Sequence, residues 1–231
     1  MSERLSVPHA LAGGLRRPDP AAGVIETLAV DDHEPVALDL HLARLAASAA
    51  AVLALALPEN LRHDLVAAAE AAPPGRHRLR IDVTAEGTTF ALAPAAPPSL
   101  EPVALAPVLL PGGLGAHKWR DRALVEALRE RHGAFPLFVD ADGAVLEAAA
   151  SNVFIAEGDD LITPPADGRL LPGVTRARVL AATPAREEPI DLDRLAAADA
   201  VLLTSSIALV RLAAGRPTAA QRLLALLEAT T

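Results

Sequence analysis

Among the 231 residues are 21 basic side chains, and 20 of them are Arg; the single Lys is Lys118. An Arg serves as a surface cation, but its guanidinium stays protonated and cannot form an imine. A lone amine kept in an Arg-rich chain is therefore a candidate nucleophile, with a chance surface lysine as the competing reading. Gly173-Val174-Thr175-Arg176 is a second candidate. A glycine ahead of a helix lets the backbone approach an anion, and the first-turn amides with the Thr175 hydroxyl can hold a phosphate. The same residues also make an ordinary helix cap. Thr204-Ser205-Ser206 sets three hydroxyls at the end of an apolar run, where a plain turn would also accept them. Glu147 is the only charge between Val145 and Asn152. Buried, it must be paired or have its pKa raised; strand periodicity equally allows it to face solvent. Arg44 shares a polar helix edge with His41 and Ser48, at i, i+3 and i+7.

An amine, an anion cradle, a lone carboxylate and an Arg are together what a pyridoxal phosphate site requires. The amine forms the imine, the carboxylate keeps the pyridine nitrogen protonated so that the ring acts as an electron sink, and the helix start and Arg neutralise the phosphate.

The elements that must position these groups can be read from periodicity. Val24 to Val30 is strand-like, and Leu38, Leu42, Leu45, Ala49 and Val52 recur at helical spacing. Leu61 to Glu70 reads as a second helix, and Arg78 to Thr84 alternates as a strand with one buried face. A helix follows Lys118, carrying Leu124, Val125 and Leu128. Strands at Pro136–Asp140 and Val145–Ala148 flank Asp140-Ala141-Asp142-Gly143, a hairpin turn. Strands follow at Asn152–Ala156, Leu161–Thr163 and Ala200–Thr204, with a helix after Gly173 and a helical end. Helices and strands interleave without a strict βαβ rhythm, which predicts an α+β fold. The Pro- and Gly-rich zone from Ala93 to His117 predicts an N-terminal domain over 1–105, a connector over 106–117 and a C-terminal domain over 118–231.

Composition bounds the class. With 52% hydrophobic and 22% charged residues the chain can bury a core and is not disordered. A net charge of −8 lacks the basic footprint of a nucleic-acid binder. Zero cysteines exclude disulfides, thiolate metal sites and a cysteine nucleophile, and no metal is expected. The N-terminus has no signal-like apolar core, and charges or prolines interrupt every long apolar stretch. A soluble, cytoplasmic protein without membrane partners is expected.

Five motifs in order carry a resemblance: Ile25-Glu26-Thr27-Leu28; His41 to Ala49 with Arg44; Lys118 ahead of a helix; Glu147 to Phe154; and Leu171-Pro172-Gly173-Val174-Thr175-Arg176. From about Val24 to Leu212 the chain resembles the class IV aminotransferases, the fold-type IV pyridoxal phosphate enzymes. The resemblance implies a smaller N-terminal α/β domain, a larger C-terminal domain, the cofactor in the cleft between them, and a homodimer. It assigns Lys118 to the imine, Glu147 to the pyridine nitrogen, Arg44, Val174 and Thr175 to the phosphate, and Leu171 to the ring. Ser205 or Ser206 adds a phosphate contact.

Within the family two positions resemble 4-amino-4-deoxychorismate lyases. Thr27 stands where aminotransferases commonly carry Gly or Val, and Lys118-Trp119-Arg120-Asp121-Arg122 is similar to a Lys-x-x-Asn-Arg pattern with Asp121 in place of Asn. The resemblance implies that Thr27 acts in acid–base chemistry and that Arg122 suits an aromatic or dicarboxylic acid substrate. Glu86-Gly87 replaces the family's Arg-Gly pair, leaving Arg80 or Arg78 to bind a substrate carboxylate, unless both face solvent. The expected reaction gives 4-aminobenzoate and pyruvate for folate synthesis. The alternatives are transamination of branched-chain or D-amino acids with a 2-oxo acid, and a catalytically silent binding module of the same fold.

Overall fold

The structure, a computed structural model, describes residues 7–229. Two sheets organise it. The first contains β1 (Val24–Asp31), β2 (Glu34–Pro35), β3 (Arg76–Thr84) and β4 (Gly87–Pro94) in the order β2-β1-β3-β4. Along β1 and β3 alternate residues face opposite ways. Val24, Leu28 and Val30 with Leu79, Ile81 and Val83 pack against α1 (Leu38–Leu53) and α2 (Leu61–Glu70), through Leu38, Leu45, Ala49, Leu61, Leu65 and Ala69. The opposite face carries Thr27 directly across from Arg80, and Ile25 across from Asp82.

The second sheet has eight strands: β5 (Leu105–Leu109), β6 (Phe135–Val139), β7 (Val145–Ala148), β8 (Ser151–Glu157), β9 (Asp160–Thr163), β10 (Arg186–Glu187), β11 (Ala200–Ser205) and β12 (Leu209–Gly215). β5 and β6 run parallel, joined through α3 (Ala123–His132); β8 is the branch point, pairing antiparallel with β7, β9 and β11. One face packs Phe154, Leu202 and Val210 on Val179 of α4 (Val174–Ala182) and on Leu223 and Leu227 of α6 (Pro217–Ala229). The other packs Leu137, Val153, Ile155, Val201 and Leu203 beside Leu195 of α5 (Leu192–Ala197). Among the described residues no helix is long and apolar enough to cross a membrane.

The α+β architecture expected from the sequence is the one observed, and the hairpin at Asp140–Gly143 closes as expected, with the Gly143 N–H donating to the Asp140 carbonyl at 3.0 Å. Several segments differ from expectation, among them β2, β10, β12 and α5, which the sequence reading leaves without an element. Leu105–Leu109, whose last four residues open the expected 106–117 connector, is a strand of the larger sheet. Pro107 is tolerated because β5 is an edge strand, where a missing N–H need not break a ladder. Gly87–Pro94, read as no element, is the strand β4. Its residues are mostly exposed, so no period-two apolar signal marks it.

Candidate active site

Backbone pairing aims Lys118. The Ile25 N–H donates to the Lys118 carbonyl at 2.8 Å, and the Arg120 N–H donates to the Gly23 carbonyl at 3.0 Å, so residues 118–120 run antiparallel beside the start of β1. The preceding loop is pinned twice. Trp119 Nε1 donates to the Leu114 carbonyl at 2.7 Å, and the His117 ring meets the Ser48 hydroxyl at 3.1 Å. Gly113 has φ +60, and a Cβ there would lie 2.0 Å from the Arg169 carbonyl, so only glycine lets this loop pack on the 169–171 segment.

Sheet register supplies a row of polar groups. Glu147 on β7 pairs with Asn152 on β8, and Asn152 with Thr204 on β11, which puts three polar side chains side by side across three strands. All three are buried. Asn152 Nδ2 donates to the Leu171 carbonyl at 2.8 Å, and the Leu171 N–H donates to Glu147 Oε2 at 3.3 Å, fixing the segment that leads into α4. Gly173 caps that helix without a side-chain capping bond, leaving its first-turn amides available beside the buried Thr175.

These elements border an open cleft lined by Arg44, Lys118, Glu147, Asn152, Leu171, Gly173, Val174, Thr175, Thr204, Ser205 and Ser206, with Ala150 and Ser151. The structure thus brings together all eight residues assigned to the cofactor: Lys118, Glu147, Arg44, Leu171, Val174, Thr175, Ser205 and Ser206. It does not bring Thr27, Arg80 or Arg122 into the lining. Arg80 is held by both oxygens of Asp82 at 2.8 Å, and Asp82 also accepts from Arg120 Nε at 3.1 Å. The Arg122 guanidinium has no hydrogen-bond or ion-pair partner among the described residues. A larger hollow, beside the start of α1 and α2 around His33, Arg62 and Glu70, shares none of these groups.

Burial dominates the electrostatics. It pushes the Lys118 amine down to about 8, with Glu26 opposing and the Arg44, Arg122 and Arg80 guanidiniums adding to the fall. It pushes the Glu147 carboxyl up to about 8, against the Leu171 N–H and the charges of Arg122 and Arg44. Burial also acts to raise Glu26, but contacts with His41 and Arg44 and the nearby Lys118 outweigh it and hold this carboxyl well below the usual range.

The profile of the family described as amino-transferase class IV matches residues 23–214. The chain belongs to that family. No curated protein matches it in sequence. Solved structures similar to this class IV chain include a hypothetical aminotransferase from Mycobacterium tuberculosis in its PLP-bound form, 22% identical with TM-score 0.78, covering 99% of this chain and 94% of that one. A fold IV transaminase from Curtobacterium pusillum is 24% identical with TM-score 0.76, covering 93% and 90%. A candidate 4-amino-4-deoxychorismate lyase from Legionella pneumophila is 19% identical with TM-score 0.78, covering 97% and 99%. At these identities the likeness is one of fold: α+β, fold-type IV.

Two features test whether this class IV cavity suits pyridoxal phosphate. Thr204 Oγ1 is buried at the cavity wall without a hydrogen-bond partner, as a ligand-facing hydroxyl would be. Gly173 leaves a notch that a Cβ would close, at 1.9 Å from Asn152 Oδ1. Helix amides, a guanidinium and hydroxyls suited to a phosphate, an amine suited to an aldehyde and a carboxyl suited to a ring nitrogen line the one cleft, a donor set that fits the group.

Several site residues were not legible as such from sequence. Asn152 and Thr204 were visible as a rare amide and a strand-end hydroxyl, but only the register puts them beside Glu147. Glu26 carried a signal comparable to that of Glu147, a lone acid in the apolar run Val24–Val30. His41 is buried against it, with Nδ1 3.2 Å from Glu26 Oε1, off the direction of a hydrogen bond.

Proposed function

We propose that the protein is a pyridoxal phosphate enzyme that converts 4-amino-4-deoxychorismate into 4-aminobenzoate and pyruvate. The bound cofactor, joined to the substrate's amine, would take up the electron pair left when the carbon bearing that amine loses its proton. The chain's own residues handle the protons. Lys118, with its amine near 8, exchanges a proton readily at neutral pH and is the base for that carbon. Glu147, protonated at neutral pH, has a proton to offer a basic ring nitrogen. Arg44, Thr175, Ser205, Ser206 and the α4 amides neutralise the phosphate.

The reaction breaks the bond between the ring and the enol ether oxygen. The carbon beside it loses its proton, the ring becomes aromatic, and the departing enolpyruvate takes up a proton as pyruvate. No oxidant or second substrate is needed. The observation that carries this reading is Thr27: its hydroxyl has no partner among the described residues and stands directly across from Arg80, one strand from the Lys118 seam. A donor there can protonate the leaving oxygen, which transamination does not require.

A second reading, transamination with a dicarboxylic 2-oxo acid, is favoured by the unpartnered Arg122 guanidinium, which would suit a distal carboxylate. The Mycobacterium tuberculosis neighbour is known with α-ketoglutarate and PMP bound. We take the active form to be a homodimer, as the resemblance implies; sedimentation of the purified protein checks this.

The test is direct. The purified protein should be yellow, Lys118→Arg should be colourless and inactive, and pyruvate should form from 4-amino-4-deoxychorismate. Thr27→Ala should slow that turnover about tenfold or more while leaving cofactor binding unchanged. Brisk amino-group exchange between amino acids and 2-oxo acids, no pyruvate from the chorismate derivative, and no effect of Thr27→Ala would establish the transaminase instead.

A further inference from the structure

Among the described residues the amine of Lys118 has one carboxylate within charge contact, and it lies outside the cleft lining. Glu26 sits in the middle of β1, 1% exposed, with Oε1 3.9 Å from Lys118 Nζ. Arg44 grips both of its oxygens, Nε to Oε2 at 2.9 Å and Nη2 to Oε1 at 2.7 Å. The third nitrogen of the guanidinium, Nη1, donates to the Pro172 carbonyl at 3.0 Å, just ahead of α4. The Thr27 N–H also donates to Glu26 Oε1, at 2.7 Å. One buried carboxylate is therefore shared between a guanidinium that hydrogen-bonds it and an amine close enough for charge contact but not for a hydrogen bond.

The charges around Lys118 come from every neighbouring element. β1 supplies Glu26, α1 supplies Arg44 and His41, β3 supplies Arg80, the residue before α3 is Arg122, and β7 supplies Glu147 across the cavity. Burial keeps the His41 imidazole neutral by pushing its pKa down, against the pull of Glu26. Glu147 holds its proton at neutral pH. The guanidiniums of Arg44, Arg122 and Arg80 act on the amine as cations, Arg80 being itself paired with both oxygens of Asp82, and Glu26 is the carboxylate in charge contact with the amine.

We propose that Glu26 is a positioning residue that sets the proton occupancy of Lys118, acting as a counter-charge for which the amine competes with Arg44. While Arg44 takes the two hydrogen bonds, the amine receives only part of the carboxylate's attraction and is easily deprotonated. Freed from Arg44, the same carboxylate would hold the proton on the amine. This role rests on the reading of Lys118 as the reacting amine, but its test needs no catalysis.

Because Lys118 is the only lysine, amine chemistry reports on it without ambiguity. In the full-length protein freed of cofactor with hydroxylamine, the rate of acylation by acetic anhydride is followed against pH. Peptide mass separates Lys118 from the terminal amine. Wild type should show a midpoint near pH 8. Glu26→Gln should move that midpoint down by about one to three pH units, the usual size for losing a charge at this distance. Arg44→Met should move it up by about one unit or more, since the carboxylate passes to the amine and a repelling cation is gone. A purely structural role would change the unfolding midpoint of both variants without opposed shifts in the amine. Midpoints that stay put, or that move in the same direction, overturn the proposal. If Glu26→Gln does not fold, Arg44→Met decides alone: an upward shift supports the role, and no shift or a downward one ends it. A wild type that titrates this way but never takes up cofactor would refute the enzymatic reading and not this one; a yellow, active enzyme with unmoved midpoints would do the reverse.

Discussion

Replacing Gly173 by Ala sets two opposed effects against each other, and their sizes decide the outcome. Gly173 has φ −66 and ψ 138, a conformation that Ala adopts freely. On backbone grounds alone Gly173→Ala should therefore stabilise by about 0.4–1 kcal/mol, by narrowing the unfolded ensemble. The space says otherwise. The new methyl would sit 1.9 Å from Asn152 Oδ1, 3.1 Å from Asn152 Cγ and 3.4 Å from Arg176 Cβ. Asn152 must move, and its Nδ2 then loses the 2.8 Å hydrogen bond to the Leu171 carbonyl. Leaving a buried polar group unmet costs about 1–3 kcal/mol, and crowding a packed site about 1–3 more. The net expectation is a loss of about 1–5 kcal/mol. For a chain of this size each kcal/mol lowers Tm by about 2–4 °C, so the cofactor-free variant should melt several degrees early. Absorbance titration with pyridoxal phosphate should show at least tenfold weaker binding, equivalent to about 1.4 kcal/mol, because Leu171, Asn152 and the start of α4 all move. Adding Asn152→Ala removes the obstruction, so the double variant should be more stable than the two single losses predict, by about 1–3 kcal/mol of coupling. An unchanged or raised Tm for Gly173→Ala, or a strictly additive double variant, would refute the reasoning that Gly173 is there for space.

Three further outcomes follow from groups already placed. The folded protein keeps a proton on Glu147 up to about pH 8 that the unfolded chain releases near 4.5, so this group's contribution to stability falls as pH rises between those values, by up to about 1.4 kcal/mol per unit. Urea unfolding of the cofactor-free protein should therefore show Glu147→Gln gaining on wild type from pH 5 to 8; a constant difference would contradict the burial of that carboxyl. Thr204→Val removes a buried hydroxyl with no partner and should leave Tm unchanged or raise it, while cofactor affinity falls a few-fold; a large loss of Tm would show that the hydroxyl is bonded within the protein. Arg122→Leu should raise KM for a carboxylate-bearing substrate about tenfold or more with little effect on cofactor binding, and equal kinetics would remove Arg122 from the substrate site.

How much of this was readable beforehand depended on whether the signal was local. Leu61–Glu70 appears at the expected bounds because its own apolar spacing and the preceding Pro58 define it. Lys118, Glu147 and Gly173 stood out by rarity or by punctuation, both properties of the one-dimensional chain. Thr204 and Asn152 needed the pairing of β8 with β11, a contact between residues some fifty positions apart that no window of sequence contains. The strand β4 was missed because an exposed edge buries too little to be selected for alternation. Glu26 was overlooked for a different reason: Arg44 was assigned to the phosphate, and nothing in the spacing from 26 to 44 tells that its guanidinium also grips a carboxylate two elements away.

Side chains alternate sides along an extended backbone, so the seam joining Lys118–Arg120 to Gly23–Ile25 also sets a phase. The loop over 111–116, held through Gly113, Leu114 and Gly115, fixes where the chain arrives, but the side-chain phase is set within the seam itself. A single residue added between Lys118 and Arg120 would reverse it, turning either the amine or the indole of Trp119 to the wrong side of the chain. Which way the nucleophile points thus depends on the count of residues within the seam, and the loop before it only delivers the chain to that place.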